Sequence, residues 1–260
     1  MHINAHQQGR HQPYDTNIDK RKYSGVMHWV QRKLDAVDVD RYFAWINEMD
    51  RKVMTDALSH DEVRTLLRRI RTYEQPIHNF MKFFELAVNF RHYLLIRLRY
   101  QDYELVNAFI GNYQTAYNRS KQVNAQLHEA TVEIIRQYRN PDQADGTSRW
   151  ENWLREQFSD PTLDGANRYM AVVRLTFLYF NTREFARLQE VYDELDILLS
   201  QGLFYTRRIL YNYYANRLML HAKFDVLQQA EEYGYLSIRQ KNADQVQYLS
   251  NFRSILIRRG

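Results

Sequence analysis

The chain has 260 residues, 45% hydrophobic and 26% charged, and its 36 basic and 31 acidic side chains give a formal charge of +5. Such a composition excludes a disordered chain, and the small basic excess falls well short of a nucleic-acid tail or a polybasic membrane anchor. Only 8 Gly and 4 Pro are present, too little punctuation for a sandwich, barrel or βαβ fold, and the absence of Cys excludes disulfides, zinc knuckles and a cysteine nucleophile.

Residues 1–22 are polar, carry His2, His6 and His11, and lack the apolar stretch of a signal peptide, so they read as a flexible arm. Residues 23–139 read as a helical region. Apolar residues recur at spacings of three and four from Val26 to Leu34 and from Tyr42 to Leu58, predicting two amphipathic helices. Ser59 followed by Glu62 has capping-box spacing and starts a third helix, which Pro76 stops by Gln75. That helix is expected to bury Val63, Leu66, Leu67, Ile70 and Tyr73 and carries Arg64, Arg68, Arg69 and Arg71 mostly off its apolar face. Asp61, Glu62 and Glu74 flank the arginines and dilute their field, so a solvated face is expected there.

The stretch from Ile77 to Arg99 is apolar around most of its circumference, as suits a central helix touched on two sides. Two further helices are expected, at 102–117 and 122–138. Residues 140–148, Asn-Pro-Asp-Gln-Ala-Asp-Gly-Thr-Ser, form the clearest loop and mark a domain boundary. After it, Trp150, Trp153, Leu154 and Phe158 predict a short helix closed by Ser159-Asp160-Pro161.

Residues 149–260 contain an internal repeat. Val172, Leu175, Thr176 and Tyr179, the turn Asn181-Thr182-Arg183, then Phe185 and Leu188, return 39 residues later as Tyr211, Tyr214, Ala215 and Leu218, the turn His221-Ala222-Lys223, then Phe224 and Leu227. A third copy begins at Leu249, Phe252, Arg253 and Leu256 at an offset of 38 and reaches Gly260 without its second helix, so continuation of the chain, or a covering partner, is expected.

These spacings resemble the tetratricopeptide repeat over residues 167–260, with Tyr211-x2-Tyr214-Ala215-x2-Leu218 and Phe224 matching best. The repeat is longer than the family's usual 34 residues. Leu188 and Leu227 stand where the family prefers Ala, and Thr176 and Arg253 replace its first Gly. The resemblance implies an all-α fold of helical hairpins stacked as a TPR-like α-solenoid behind an N-terminal helical region. Tyr93, Ile96 and Tyr100 echo the spacing, as degenerate repeats would.

Catalytic and metal chemistry find no constellation in the sequence. His128-Glu129-Ala130-Thr131-Val132 lacks the second His of a zincin helix, and there is no phosphate loop or nucleophile elbow. No cofactor and no enzymatic activity are expected. The expected role is a cytoplasmic scaffold that binds a protein or peptide in the groove lined by the first helices of successive repeats. Arg174, Tyr213, Asn216, Arg217 and Asn251 are the candidate partner-binding residues, being placed off the core spacing of Leu175, Tyr179, Tyr214, Leu218, Phe252 and Leu256. A nucleic-acid-binding repeat or peptide-sensing regulator, and a structural assembly subunit, are the alternatives. Nucleic acid is the less expected partner, and no apolar run is long enough to span a membrane.

Overall fold

The computed structural model of the protein describes residues 24–30, 38–73, 77–139, 147–239 and 245–259. The expected N-terminal arm, the end of the first helix beyond Val30, the Pro76 stop and residues 140–146 of the loop lie outside the described residues. Among those described, all regular structure is helical. The chain divides into two units, Met1–Asp38 and Val39–Gly260. In the first, residues 24–30 form a short helix, α1, with every side chain exposed.

The second unit begins with α2 (Val39–Met54) and α3 (His60–Arg71). The predicted capping box is present: the Ser59 hydroxyl accepts from the Glu62 amide at 3.3 Å, and the Glu62 carboxylate accepts from the Ser59 amide at 2.9 Å. Val63, Leu66, Leu67 and Ile70 of α3 are buried as their spacing requires. α4 (Phe80–Ile96) lies between α2 and the following helix and buries Phe83, Phe90 and Leu94 completely. Together these elements close one core, rich in Phe.

Where two helices were expected, the structure has one, α5 (Tyr100–Arg139), of 40 residues and about 60 Å in length. The polar stretch Asn118–Gln122 suggested a break, but no Gly or Pro occurs between Asn112 and Arg139 to make one. Four of those five polar residues face solvent, and Ser120 alone is buried. One helix therefore serves two cores: Val106, Phe109 and Ile110 sit in the first, and Val123, Leu127, Ala130 and Ile134 in the second.

The second core is completed by α6 (Thr147–Ser159), α7 (Gly165–Thr182), α8 (Phe185–Ser200) and α9 (Arg207–Lys223), with α10 (Leu227–Arg239) and α11 (Gln245–Arg259) beyond. α7 packs on α8, α9 on α10, and α11 on both α9 and α10. Two turns share one geometry. Arg183 adopts the left-handed conformation, and the next amide, Glu184, reaches back to the Tyr179 carbonyl at 2.8 Å. Asp225 does the same, with Val226 bonded to the His221 carbonyl at 2.8 Å.

These turns correct the repeat length. Arg183 and Asp225 are 42 residues apart, as are the helix starts Gly165 and Arg207, and Phe185 and Leu227. The 39-residue offset paired Phe185 with Phe224. Phe185 opens a helix, whereas Phe224 lies in the turn and is 43% exposed. At the 42-residue offset Leu188 meets Ala230, both buried. The α10–α11 contact is also close: a Cβ on Gly234 would fall 2.1 Å from a Phe252 ring carbon, so only glycine admits that ring.

Three hydrogen bonds from backbone amides tie residues distant in the chain together within this unit. The Val39 amide donates to the Tyr205 carbonyl at 3.3 Å, the Arg207 amide to the Asp40 carboxylate at 2.7 Å, and the Ala166 amide to the His78 carbonyl at 3.1 Å. None of the described helices is long and apolar enough to cross a membrane.

Candidate functional site

The hairpins leave a groove of about 540 Å³ between α7, α8, α9 and α11. One face of α9 forms its longest wall: Asn212, Asn216, Met219 and Lys223 follow one another at intervals of four, three and four residues, the period of a single helical stripe. Thr176 and Phe180, one turn apart on α7, face them, Phe185 and Leu188 come from α8, and Asn251 of α11 closes one end.

The floor is polar and fixed. Asn216 Nδ2 donates to the Tyr192 hydroxyl at 2.6 Å, that hydroxyl lies 3.3 Å from Thr176 Oγ1, and the threonine hydroxyl donates to the Val172 carbonyl at 2.9 Å. Burial raises the Tyr192 pKa above its ordinary value, so the phenol stays neutral. This chain spans three helices and sets the Asn216 amide in one orientation. The rim is apolar and wet: Phe180 is 58% exposed and meets Phe185 edge to face at 6.0 Å, and Met219 is also exposed. Lys223 is the single charged residue of the lining, its ammonium 5.0 Å above the Phe185 ring.

Of the five residues the sequence proposed, the groove collects Asn216 and Asn251. Arg174 turns the other way, toward α5, where its Nε donates to Thr131 Oγ1 at 2.9 Å and to the Leu127 carbonyl at 3.3 Å. Tyr213 and Arg217 are buried, each 3% exposed, and belong to the interior. Tyr213 donates its hydroxyl to the Asp196 carboxylate and stacks on Tyr192; burial first, then the carboxylate, raises its pKa. Arg217 binds Asp193 at 2.6 Å and Asp196 at 2.9 Å. Burial draws its pKa down, but the bond to Asp193 and the neighbouring groups outweigh it, and the net shift is upward.

Of the expected core positions, Leu175, Tyr179, Leu218 and Phe252 are buried, and two shift by one residue. Tyr213 is buried and Tyr214 only half-buried; Ile255 is buried and Leu256 exposed. The reason is the setting of α9, which touches α8, α10 and α11 and buries residues around most of its circumference. A helix enclosed on three sides carries no clean apolar stripe, so a phase read from apolar spacing has nothing to fix it. The sequence did carry a signal for the groove, the Asn212-Asn216-Met219-Lys223 stripe, but the 39-residue alignment hid it.

Among the described residues no three His, Asp or Glu side chains converge on a point where a metal ion would sit. No protein-family model, curated protein or solved structure matches the chain.

Proposed function

We propose that the chain is a non-enzymatic protein-binding scaffold, that residues 165–259 stack as a TPR-like array, and that its groove holds a peptide in extended conformation, in the cytoplasm. The carrying observation is the placing of three asparagines, Asn212, Asn216 and Asn251, around an apolar rim. A carboxamide offers both a donor and an acceptor, matching what a peptide unit offers in return. Asn212 and Asn216 are separated by one helical turn, about 6 Å along the axis. Two residues of an extended strand span about 6.6 Å. The pair therefore meets peptide groups two residues apart, which point the same way along a strand.

Phe180, Phe185 and Met219 supply apolar surface for one side chain of such a ligand, and the scarcity of charge in the lining favours an uncharged segment over an acidic one. The shared 42-residue offset of two helix starts, Gly165 and Arg207, and of the left-handed turns at Arg183 and Asp225 supports the array.

The test is selection of a random peptide library displayed on phage against the full chain, followed by calorimetric titration of the enriched peptides. Asn212→Ala with Asn251→Ala removes two amide contacts worth about 0.5–1.5 kcal/mol each and weakens binding roughly tenfold. Enriched peptides that bind this double variant as tightly as the parent chain contradict the reading.

A further inference from the structure

α3 carries a line of basic residues on its outer side. His60, Arg64, Arg68 and Arg71 succeed one another at intervals of four, four and three residues, and all four are exposed. The line is about 16 Å long at 1.5 Å per residue. The acidic residues that the sequence sets beside it do little to neutralise it. Glu62 faces away, bound by Lys52 at 2.5 Å and by the Ser59 amide. Asp61 reaches only Arg64, at 3.7 Å, with both side chains largely in water. Among the described residues Arg68 and Arg71 have no ion-pair partner. On the other flank, α5, against which α3 packs, has no charged residue from Leu105 to Asn118.

Helix electrostatics accounts for part of this arrangement and no more. Cations in the last turn are stabilised by the macrodipole, which explains Arg68 and Arg71. Arg64 stands in the first half, where a positive charge gains nothing from that dipole. A lipid surface fits poorly: Val63, Leu66, Leu67 and Ile70, the apolar side chains of α3, are all in the core and none is left to enter a bilayer. A line of guanidinium forks suits a polymer whose charges are themselves in line, and arginine pairs with phosphate through two parallel donors. Sixteen ångströms span a few successive phosphates of one strand.

We propose that this face of α3 is a nucleic-acid site that grips the phosphate backbone of a single strand through Arg64, Arg68 and Arg71, with His60 at one end. Recognition is of backbone charge and is independent of base sequence. The site is separate from the groove and stands whether or not the groove binds peptide.

Fluorescence anisotropy of the full chain with a 5′-fluorescein-labelled 20-nucleotide oligouridine, titrated between 50 and 200 mM NaCl, reads the proposal directly. Three phosphate contacts on a single strand give a slope of log affinity against log salt of about −2, an affinity loss of roughly 20-fold over that range. Arg64→Gln/Arg68→Gln/Arg71→Gln weakens binding at least tenfold at 50 mM salt and flattens the slope. Arg136→Gln/Arg139→Gln/Arg253→Gln removes the same net charge from exposed positions elsewhere and stays within twofold of the parent. Circular dichroism confirms that both variants fold. Equal losses in the two triple variants, absence of saturable binding at 50 mM salt, or equally tight arginine-dependent binding of a labelled 20-residue polyglutamate each overturn the proposal.

Discussion

The two cores that α5 joins are built from different chemistry. The first, made by α2 to α4 and the start of α5, is a packing of Phe80, Phe83, Phe84, Phe90 and Phe109 with aliphatic side chains, and every buried residue described before Ser120 is hydrophobic. From Ser120 onward the interior is wired as well as packed. Asp164 caps α7 by accepting from the Asn167 amide, and the Asn167 side chain donates to the Ser120 carbonyl at 2.9 Å. Arg168 donates to the Phe158 carbonyl, and Arg217 with Tyr213 holds the carboxylates of α8. Packing alone tolerates a change of shape within limits, whereas a buried polar network specifies one arrangement. The hairpins that hold the groove are the wired ones, and the orientation of Asn216 comes out of that wiring.

The largest effects expected separate the cores by truncation. Phe83, 0% exposed, meets Tyr73 at 5.5 Å and Phe109 at 5.8 Å between ring centres, so Phe83→Ala leaves a cavity and costs about 3–5 kcal/mol in urea unfolding. Arg217→Met answers the same question in the second core with the opposite result. Its aspartate partners are half in water and recover solvation, and a thioether chain of similar length fills the space, so stability changes by less than about 1 kcal/mol. A loss of several kcal/mol in Arg217→Met would show the network to be the main support of the hairpins.

Acid sharpens the contrast at the junction between the cores. His78 is largely buried beside Gly165 and Phe204, and burial lowers its pKa to about 4 from an ordinary value near 6.5, with Asp40 opposing. Between those values the unfolded chain binds a proton that the folded chain does not, so stability falls as pH drops from about 6.5 to 4. The loss approaches 2–3 kcal/mol at the acid end of that window. In His78→Gln this part of the pH dependence disappears from unfolding curves measured at pH 7, 5.5 and 4.5. A parent chain equally stable at all three values contradicts the assignment.

The smallest effect belongs to a local device. Ser59→Ala removes one half of the capping box on α3 and lowers the unfolding free energy by about 1 kcal/mol. It leaves the groove, and peptide affinity, unchanged.

The same division governs what could be read in the sequence. In the first core, apolar spacing named Val63, Leu66, Leu67 and Ile70 of α3, all buried, and overran only at Tyr73, half-buried past the helix end, because a helix covered on one side by a hydrophobic core must show its phase. The Ser59–Glu62 box was legible for the same kind of reason, being a short-range requirement of the backbone. In the second core the side chains that mark the interior are Tyr213, Arg217 and Asn167, residue types that the surface also uses. Their burial depends on partners such as Asp196 and Ser120, 17 and 47 residues away in the chain. Spacing cannot show such pairings, which is why the sequence alone points Tyr213 and Arg217 into the groove. The fusion of two expected helices into α5 has a related cause: a polar stretch interrupts the apolar pattern without interrupting the helix.

The central claim is that the groove asparagines, and not the buried tyrosine and arginine beside them, meet the ligand. Side-chain amide resonances of the asparagines, followed by nitrogen-15 NMR during titration of an enriched peptide into the full chain, test it most directly. The account predicts saturable shifts at Asn212, Asn216 and Asn251, with the Arg217 Nε resonance unmoved. Shifts at Arg217 that leave the three asparagine amides in place contradict it.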